Sequence, residues 1–215
     1  MWVGRAVIFR WSVVAVIVFA AMVWGYFIIT ENQVKELSLP VYGQRNYDST
    51  DHVVSNFSLT NQDGKVITES DFKGKIYVAD FFFTTCEGIC PLMSDQMERI
   101  AEEFNTNTNV LLLSHTVKPE EDSVPVLKKY AEKHNADSSQ WHFVTGERSV
   151  INKLARSSYL LGGMEDDSSS DFVHTQFFAL IDPQKRIRGF YDGTDSSDVN
   201  KLIGDIGILL REERK

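Results

Sequence analysis

The chain is short of positive charge. Its 215 residues contain 22 Lys and Arg against 30 Asp and Glu, which gives a formal net charge of −8 at pH 7. Nucleic-acid binding depends on cationic side chains that replace phosphate counterions, so this composition argues against a nucleic-acid partner. Internal repeats are also lacking, and a hydrophobic content of 43% with 24% charged residues fits a globular chain with a real core.

The N-terminal part lacks the marks of a cleaved leader. From Trp11 to Ile29 the only polar side chain is Ser12, a run of 19 residues. The apolar core of a signal peptide is shorter, at about 7–15 residues, and no A-x-A cleavage pattern follows here. No cysteine follows to take a lipid, and no Arg- and Ser-rich amphipathic leader comes first. Since about 20 apolar residues span a bilayer as a helix, the run predicts an uncleaved single-pass anchor.

The charges beside this run predict its orientation. Arg5 and Arg10 precede it, whereas Glu31 and Glu36 follow it with Lys35 between them. The positive-inside rule then places the N-terminus in the cytoplasm and the globular part outside. We expect the bacterial plasma membrane, with the domain on the periplasmic or extracytoplasmic side. That compartment is oxidising, so a nearby cysteine pair can close there as a disulfide.

Beyond the anchor, the sequence divides into a tether and one domain. We predict a membrane anchor over 1–30, a polar tether without periodicity over 31–52 and a globular domain over 53–215. The first half of the domain has the pattern of a hairpin around Asp63-Gly64, a buried strand at 75–83, a helix beyond the cysteines and a buried strand at 109–117. The next part predicts a helix at 123–134, a short strand at 141–146 and a helix at 147–159. The last part predicts a mobile acidic loop at 162–171, a second hairpin within 172–193 and a final helix from 195.

This order of elements is typical of a thioredoxin-like α/β domain, with a central mixed sheet flanked by helices. Working sites of open α/β sheets lie at the carboxyl ends of strands. Cys86 and Cys90, the only cysteines of the chain, occupy that place after strand 75–83 and at the entry to a helix.

Two cysteines at this place have three possible uses, namely a structural staple, a redox pair or a metal site. A helix N-terminus carries partial positive charge and unpaired N–H groups, so a thiol there ionises more readily. Three intervening residues bring Cys86 and Cys90 about one helical turn apart, near enough for a disulfide or for one shared ion. A loop this short constrains little chain entropy, so a staple would stabilise the fold only modestly. Asp80, in the preceding strand, either assists thiol deprotonation or caps a neighbouring group.

A metal site needs a further ligand, and His174 is the strongest candidate among five histidines. It follows the acidic loop and opens the hairpin strand, which faces the cysteine motif in a thioredoxin-like fold. Two thiolates and one imidazole form a soft set that suits copper better than structural zinc, which wants four protein ligands. The pattern places His52 in the tether and His134 at the end of an exposed helix, and it places His115 and His142 in strands.

From Phe57 to the last helix, the sequence resembles the Sco/SenC family, the copper chaperones of cytochrome oxidase assembly. The matching stretches are "FSLTNQDGK", "DFKGK", "FFFTTCEGICPLM", "PEEDSVPVLKKYA", "WHFVTG" and "FVHTQFFALIDPQ". A C-x3-C-P motif after an aromatic strand, with a distant histidine before a strand, is a specific combination, whereas a bare C-x3-C is weak. The N-terminal anchor matches as well.

The resemblance implies that Cys86, Cys90 and His174 hold copper, as Cu(I) or Cu(II). It also implies delivery to the dinuclear copper centre of an oxidase subunit, or to another cuproprotein, or reduction of that subunit's cysteines. Two positions depart from the family: Val173 replaces an Asp before the metal histidine, and Lys118 replaces the Asp of an Asp-Pro-Glu motif. The first change removes a carboxylate that would orient the imidazole. His115 either compensates for this loss or is present by chance.

The alternative is a thiol–disulfide oxidoreductase of the thioredoxin-like class, with Cys86 as the attacking thiolate and Cys90 as the resolving thiol. Such an enzyme makes no demand on His174. A peroxidase fits less well, because "ADFFFTTC" lacks the proline expected ahead of a peroxidatic cysteine. The sequence leaves open the acceptor protein, the copper oxidation state and the oligomeric state.

Overall fold

The computed structural model describes residues 17–26, 38–44, 50–162 and 175–213. The chain forms two compact units, Met1–Ser38 and Leu39–Lys215.

In the first unit, residues 17–26 are helical and carry exposed apolar side chains such as Phe19 and Trp24. Within the described part of the chain, no helix is both long and apolar enough to cross a bilayer. The remainder of the apolar run 11–29 lies outside the described residues, so the anchor stays a prediction.

The second unit is built on one seven-stranded mixed sheet of order β2-β1-β5-β4-β3-β6-β7. Strands β3, β4 and β5 run parallel, and the other neighbouring pairs are antiparallel. The strands are β1 (Ser58–Asn61), β2 (Val66–Thr68), β3 (Ile76–Phe82), β4 (Val110–Thr116), β5 (Trp141–Thr145), β6 (Phe177–Ile181) and β7 (Ile187–Asp192). Each predicted strand is confirmed, including the first hairpin, whose Gly64 has a φ of 73° that favours glycine.

Helices cover both faces of this sheet. They are α1 (Ile89–Glu103), α2 (Val124–Lys133), α3 (Arg148–Lys153) and α4 (Ser196–Glu212), with a 3₁₀ turn at Glu69–Phe72 and a π-helical turn at Leu154–Ser158. The predicted helix at 147–159 is therefore divided, because its second half forms the π-helical turn. The helix at 123–134 is confirmed, with Pro125 tolerated in its first turn.

Strands β3 and β4 are buried along their whole length, as their continuous apolar runs predict. Because side chains alternate between the faces of a strand, each contributes to two separate cores. One core lies under α1, α2 and α4 and contains Phe82 and Cys90. The other core lies under α3 and the π-helical turn and contains Phe81 and Tyr159.

Part of the predicted tether contacts the edge strand β7. Arg188 donates to the carbonyl oxygens of Leu39 (2.6 Å) and Pro40 (3.0 Å). The backbone N–H of Tyr42 donates to the carbonyl oxygen of Ile187, and the Tyr42 ring packs edge-on against the ring of Phe190. Residues 39–42 therefore lie against the folded domain, although the predicted boundaries at 30 and 52 are not tested by this contact. Apart from Gly162, the predicted loop 162–171 lies outside the described residues.

Candidate dithiol and metal site

The two cysteines lie where strand β3 gives way to helix α1. Cys86 is half-buried in the connecting loop, and Cys90 lies in the first turn of α1 with 4% of its surface exposed. Both are free thiols. The predicted position of the cysteines, after a central strand and at the start of a helix, is confirmed. Cys86 itself precedes the N-cap residue of the helix, Gly88.

The start of α1 stabilises a thiolate at Cys86. Burial by itself raises the pKa of this thiol, but hydrogen bonds from the Cys90 thiol and from the backbone N–H groups of Cys90, Gly88 and Ile89 outweigh that effect and lower it. These N–H groups belong to the unpaired first turn of the helix, which carries partial positive charge. Cys86 is therefore the better nucleophile and the readier ligand of the pair.

The second thiol behaves in the opposite way. Burial raises the pKa of Cys90, and the hydrogen bond that it donates to Cys86 together with the charges of Cys86 and Asp80 raises it further. Cys90 packs among apolar side chains that include Phe82, Met93 and Met97. The pair is thus asymmetric, with an accessible thiol that ionises easily and a buried thiol that keeps its proton.

Asp80 lies on the same face of β3 as Phe82, beneath the cysteines. It is 1% exposed, and burial raises its pKa to about 7, opposed by a hydrogen bond with Ser114, which faces it in register on β4. One of its carboxylate oxygens, Oδ1, is buried without a hydrogen-bond partner among the described residues. A carboxyl group in this state can take or give a proton near neutral pH.

A buried carboxylate that the sequence did not single out fixes the cysteine loop. Asp122, which is fully buried, accepts from the backbone N–H (3.2 Å) and the hydroxyl of Thr84 and from the hydroxyl of Thr116. The N–H of Lys118 in turn donates to the Thr116 hydroxyl. The network ties the loop just before Cys86 to the end of β4. In the sequence, Asp122 follows two glutamates and precedes a helix, so its pattern resembles a solvated cap.

A cavity of about 270 Å³ opens between the cysteines and the segment that precedes β6. Thr175, which is 3% exposed, lines this cavity. Its further lining includes Phe83, Cys86, Ile89, Cys90 and Val117. His174, the predicted third ligand, is adjacent to Thr175 in the sequence but lies outside the described residues, so its role stays a prediction.

Apolar side chains line most of the cavity, and one of them, Ile89, is 38% exposed at the start of α1. Leu92, further along the same helix, is 54% exposed. Lys118, the departure from the family pattern, extends over the ring of Phe83 (4.5 Å) and pairs with Glu121 (3.4 Å). The site therefore combines a mostly apolar cavity lining with a cation, Lys118, on one of the lining residues.

The structure separates the other histidines from this site. His115 lies on the opposite face of the sheet, where it stacks on Phe81 (4.7 Å) and donates through Nδ1 to the Asp80 carbonyl (3.1 Å). Burial lowers its pKa to about 4. It cannot compensate at the cysteines from there, and it is a neutral core residue. His52 contacts the Ser158 carbonyl (2.8 Å), and His142 packs against Phe72.

The expectation for His134 is wrong in one respect. The sequence suggested the end of an exposed helix, but His134 is 3% exposed because it packs between Tyr130 and helix α1. A residue at the C-terminus of a helix, between Lys133 and Asn135, carries no sequence signal for burial.

A mixed sheet flanked by helices, with a dithiol at the carboxyl end of a central strand, defines a thioredoxin-like domain. The dithiol of this domain lies in a C-x3-C-P motif. The family model described as SCO1/SenC matches residues 45–209, and the chain belongs to this family.

Known relatives agree with this assignment. The chain is 31% identical to the SCO1 protein homolog of Bacillus subtilis over 166 residues, which cover 76% of this chain and 86% of that protein. It is similar to the structure of BsSco, a Sco-family protein of cytochrome c oxidase assembly in which a disulfide switch was identified (31% identity, TM-score 0.62, covering 73% of this chain and 92% of that one). It is also similar to Arabidopsis thaliana ScoI with copper bound (27% identity, TM-score 0.58, 74% and 99% covered).

Proposed function

We propose that this protein is a membrane-anchored copper chaperone. Copper is its cargo, held by Cys86, Cys90 and His174 and passed to the dinuclear copper site of a respiratory oxidase subunit. The proposal rests on family membership, on the asymmetric dithiol and on the copper-bound structure of a related plant protein.

The observation that carries the proposal is the shared cavity of Cys86, Cys90 and Thr175. These residues come from two distant parts of the chain, and the second part begins directly after His174. Consecutive Cα atoms are about 3.8 Å apart, so we expect the imidazole of His174 to reach the thiols. The cavity is large enough for an ion and its ligands.

The ligand chemistry fits a cargo rather than a structural ion. Two thiolates and an imidazole suit Cu(I), and three ligands leave a coordination position open to a ligand of the acceptor. Cys86 is ionised readily, whereas Cys90 must lose a proton on binding, and Asp80 lies close enough to interact with that charge. Release then follows by exchange, as acceptor thiolates replace Cys86 and Cys90 one at a time.

The location of the protein is part of the same proposal. The apolar run 11–29 and the exposed apolar side chains on the helical residues 17–26 support an anchor in the bacterial inner membrane. The positive-inside rule places the domain in the periplasm or its equivalent. An oxidase subunit with an extracytoplasmic copper centre is accessible from that side.

A second function shares the same residues. The readily ionised Cys86 and the proton-holding Cys90 are arranged as an attacking and a resolving thiol, and BsSco has a disulfide switch. In that reaction the Cys86 thiolate attacks a disulfide of the acceptor and releases one of its sulfurs as a thiol. Cys90, after losing its proton, then displaces the second sulfur, so the acceptor gains two electrons and Cys86 and Cys90 become a disulfide.

The test is a competitive titration of the reduced full-length chain with Cu(I) and a chromophoric chelator, in parallel with Cu(II). We expect one copper per chain, a loss of binding in the Cys86→Ser/Cys90→Ser variant, and a reduction of at least about tenfold in His174→Ala. The matched control is His52→Ala, since His52 lies away from the cavity and bonds to Ser158.

The two functions are separated by assaying His174→Ala for reduction of a disulfide peptide. A chaperone that is also a reductase loses copper affinity but keeps the peptide activity. Copper binding unchanged in His174→Ala contradicts the assignment of His174 as the third ligand.

A further inference from the structure

Helices α1 and α2 bring a second group of metal-ligating side chains together outside the dithiol site. Asp95 and Glu98 lie on one face of α1, as residues three apart do. His134 caps the C-terminus of α2 and faces them. Its Nδ1 lies 3.8 Å from Asp95 Oδ1 and 3.8 Å from Glu98 Oε2. Cys90 points from α1 into the core, whereas Asp95 is exposed, so the two groups occupy different faces of the helix.

The imidazole of His134 is buried, and one of its two nitrogens lacks a hydrogen-bond partner within the described residues. Its side chain is 4% exposed, and Nε2 is buried without a partner. Both carboxylate oxygens are too far from Nδ1 for a hydrogen bond. Burial and the charge of Lys133 lower the pKa of His134, whereas the charges of Asp95 and Glu98 oppose this effect.

These distances match the ligands of one ion. With bonds of about 2.0–2.2 Å from a nitrogen or a carboxylate oxygen to a divalent metal, two ligands on either side of the ion lie up to about 4 Å apart. His134 Nδ1 lies 3.8 Å from each carboxylate oxygen, within this span. The three ligand atoms all lie within 4.8 Å of one another, so a small movement of the exposed Asp95 side chain brings all three onto one ion. Asn135 holds one of the carboxylates in place, because its side chain donates to Glu98 Oε1 (2.7 Å) and leaves Oε2 facing His134. Such support orients a ligand in metal sites.

We propose that Asp95, Glu98 and His134 form a second metal site, which binds a divalent first-row transition metal such as Zn²⁺. One imidazole and two carboxylates are a borderline-hard set, which suits Zn²⁺ and its neighbours and does not suit Cu(I). Asp95 is 66% exposed, so water completes the coordination and the ion exchanges with solvent. The site is independent of the dithiol and of the function proposed for it.

The test uses Zn²⁺ as the probe and the full-length chain with Cys86→Ser and Cys90→Ser, which removes the competing thiols. Calorimetric titration is expected to give one Zn²⁺ per chain. Asp95→Asn and Glu98→Gln each weaken this binding by about tenfold or more. Glu102→Gln, an exposed carboxylate on the same helix, changes it less than about twofold.

His134→Gln is expected to abolish the binding, and its thermal unfolding without metal shows whether the fold survives. A Zn²⁺-dependent rise in the unfolding temperature that Asp95→Asn removes and Glu102→Gln retains supports the site. No Zn²⁺ binding by the thiol-free chain, or binding that Asp95→Asn and Glu98→Gln leave unchanged, overturns the proposal. Neither result bears on copper binding at the cysteines.

Discussion

Asp122 accepts hydrogen bonds from both the backbone N–H and the hydroxyl of Thr84. The contact joins the loop before Cys86 to the segment after β4, far away in the sequence. Since the carboxylate is fully buried and also accepts a hydrogen bond from Thr116 at the end of β4, it fixes the conformation of the cysteine loop. The geometry of the dithiol thus depends on a residue that contacts neither sulfur in the contacts described here.

Asp122→Asn tests this dependence. The amide accepts fewer of the three hydrogen bonds, so we expect the free energy of unfolding to fall by about 1–3 kcal/mol and the Cu(I) affinity to fall with it. Denaturant unfolding and chelator competition measure the two effects. Glu121→Gln is the matched control, because Glu121 is an exposed neighbour that pairs only with Lys118 in the contacts described here. If Asp122→Asn and Glu121→Gln behave alike on both measurements, the buried network does not hold the loop.

The low pKa of Cys86 is expected to depend on the thiol of Cys90. Cys90→Ala and Cys90→Ser each leave Cys86 as the only cysteine, but only the serine can donate a hydrogen bond to it. We therefore predict a higher Cys86 pKa in Cys90→Ala than in Cys90→Ser. The pH dependence of alkylation by iodoacetamide measures both values. Equal pKa values in the two variants contradict a contribution from the Cys90 hydrogen bond and leave the helix N–H groups as the cause.

Asp80 is expected to make stability fall as the pH rises. Its pKa is 3.8 in the unfolded chain and about 7 in the folded domain, so below about pH 4 both states hold the proton. Between the two pKa values only the unfolded state loses the proton, so the free energy of unfolding falls as the pH rises. This fall ends when the pH passes the pKa of Asp80 in the folded domain. Asp80→Asn lacks this titration, so its stability relative to the wild type should rise by on the order of a few kcal/mol from about pH 4 to pH 8.

Chemical denaturation at the two pH values measures this difference for Asp80. Glu102→Gln, an exposed change, provides the baseline. If the stability difference between Asp80→Asn and the wild type is the same at both pH values, the Asp80 carboxyl titrates normally. That result would contradict a raised pKa of Asp80 in the folded domain.

How much of this arrangement the sequence predicts depends on the range of the contacts involved. The continuous apolar runs of β3 and β4 predict two central strands, and the strand-to-helix transition predicts the place of Cys86 and Cys90. The burial of Asp122 and His134 is not predictable in this way. It arises from partners on other elements, and their local patterns are those of solvated residues.

Backbone detail shows the same limit. The periodicity at 147–159 predicts one helix, yet the chain changes to a π-helical turn at Leu154, where Ala155 and Tyr159 pack into the core. Tertiary packing overrides the local preference there. Likewise, the polar composition of the predicted tether gives no sign that Leu39 and Pro40 are held by Arg188.

His115 provides a control for the copper site, because it is also a histidine but lies on the face of the sheet opposite to the cysteines. His115→Gln should lower the free energy of unfolding by about 1–3 kcal/mol, since it removes a buried ring stacked on Phe81 and a hydrogen bond. Its Cu(I) affinity should stay within about twofold of the wild type. Chelator competition measures the affinity, and a loss as large as that of His174→Ala would make His115 a ligand.

X-ray absorption at the copper edge tests the central claim most directly, because it counts the atoms bound to the metal. For the Cu(I)-loaded chain we predict two sulfur ligands and one imidazole nitrogen, with the imidazole signal lost in His174→Ala and kept in His115→Gln. An imidazole signal that persists in His174→Ala, or a copper bound without sulfur, would contradict the account.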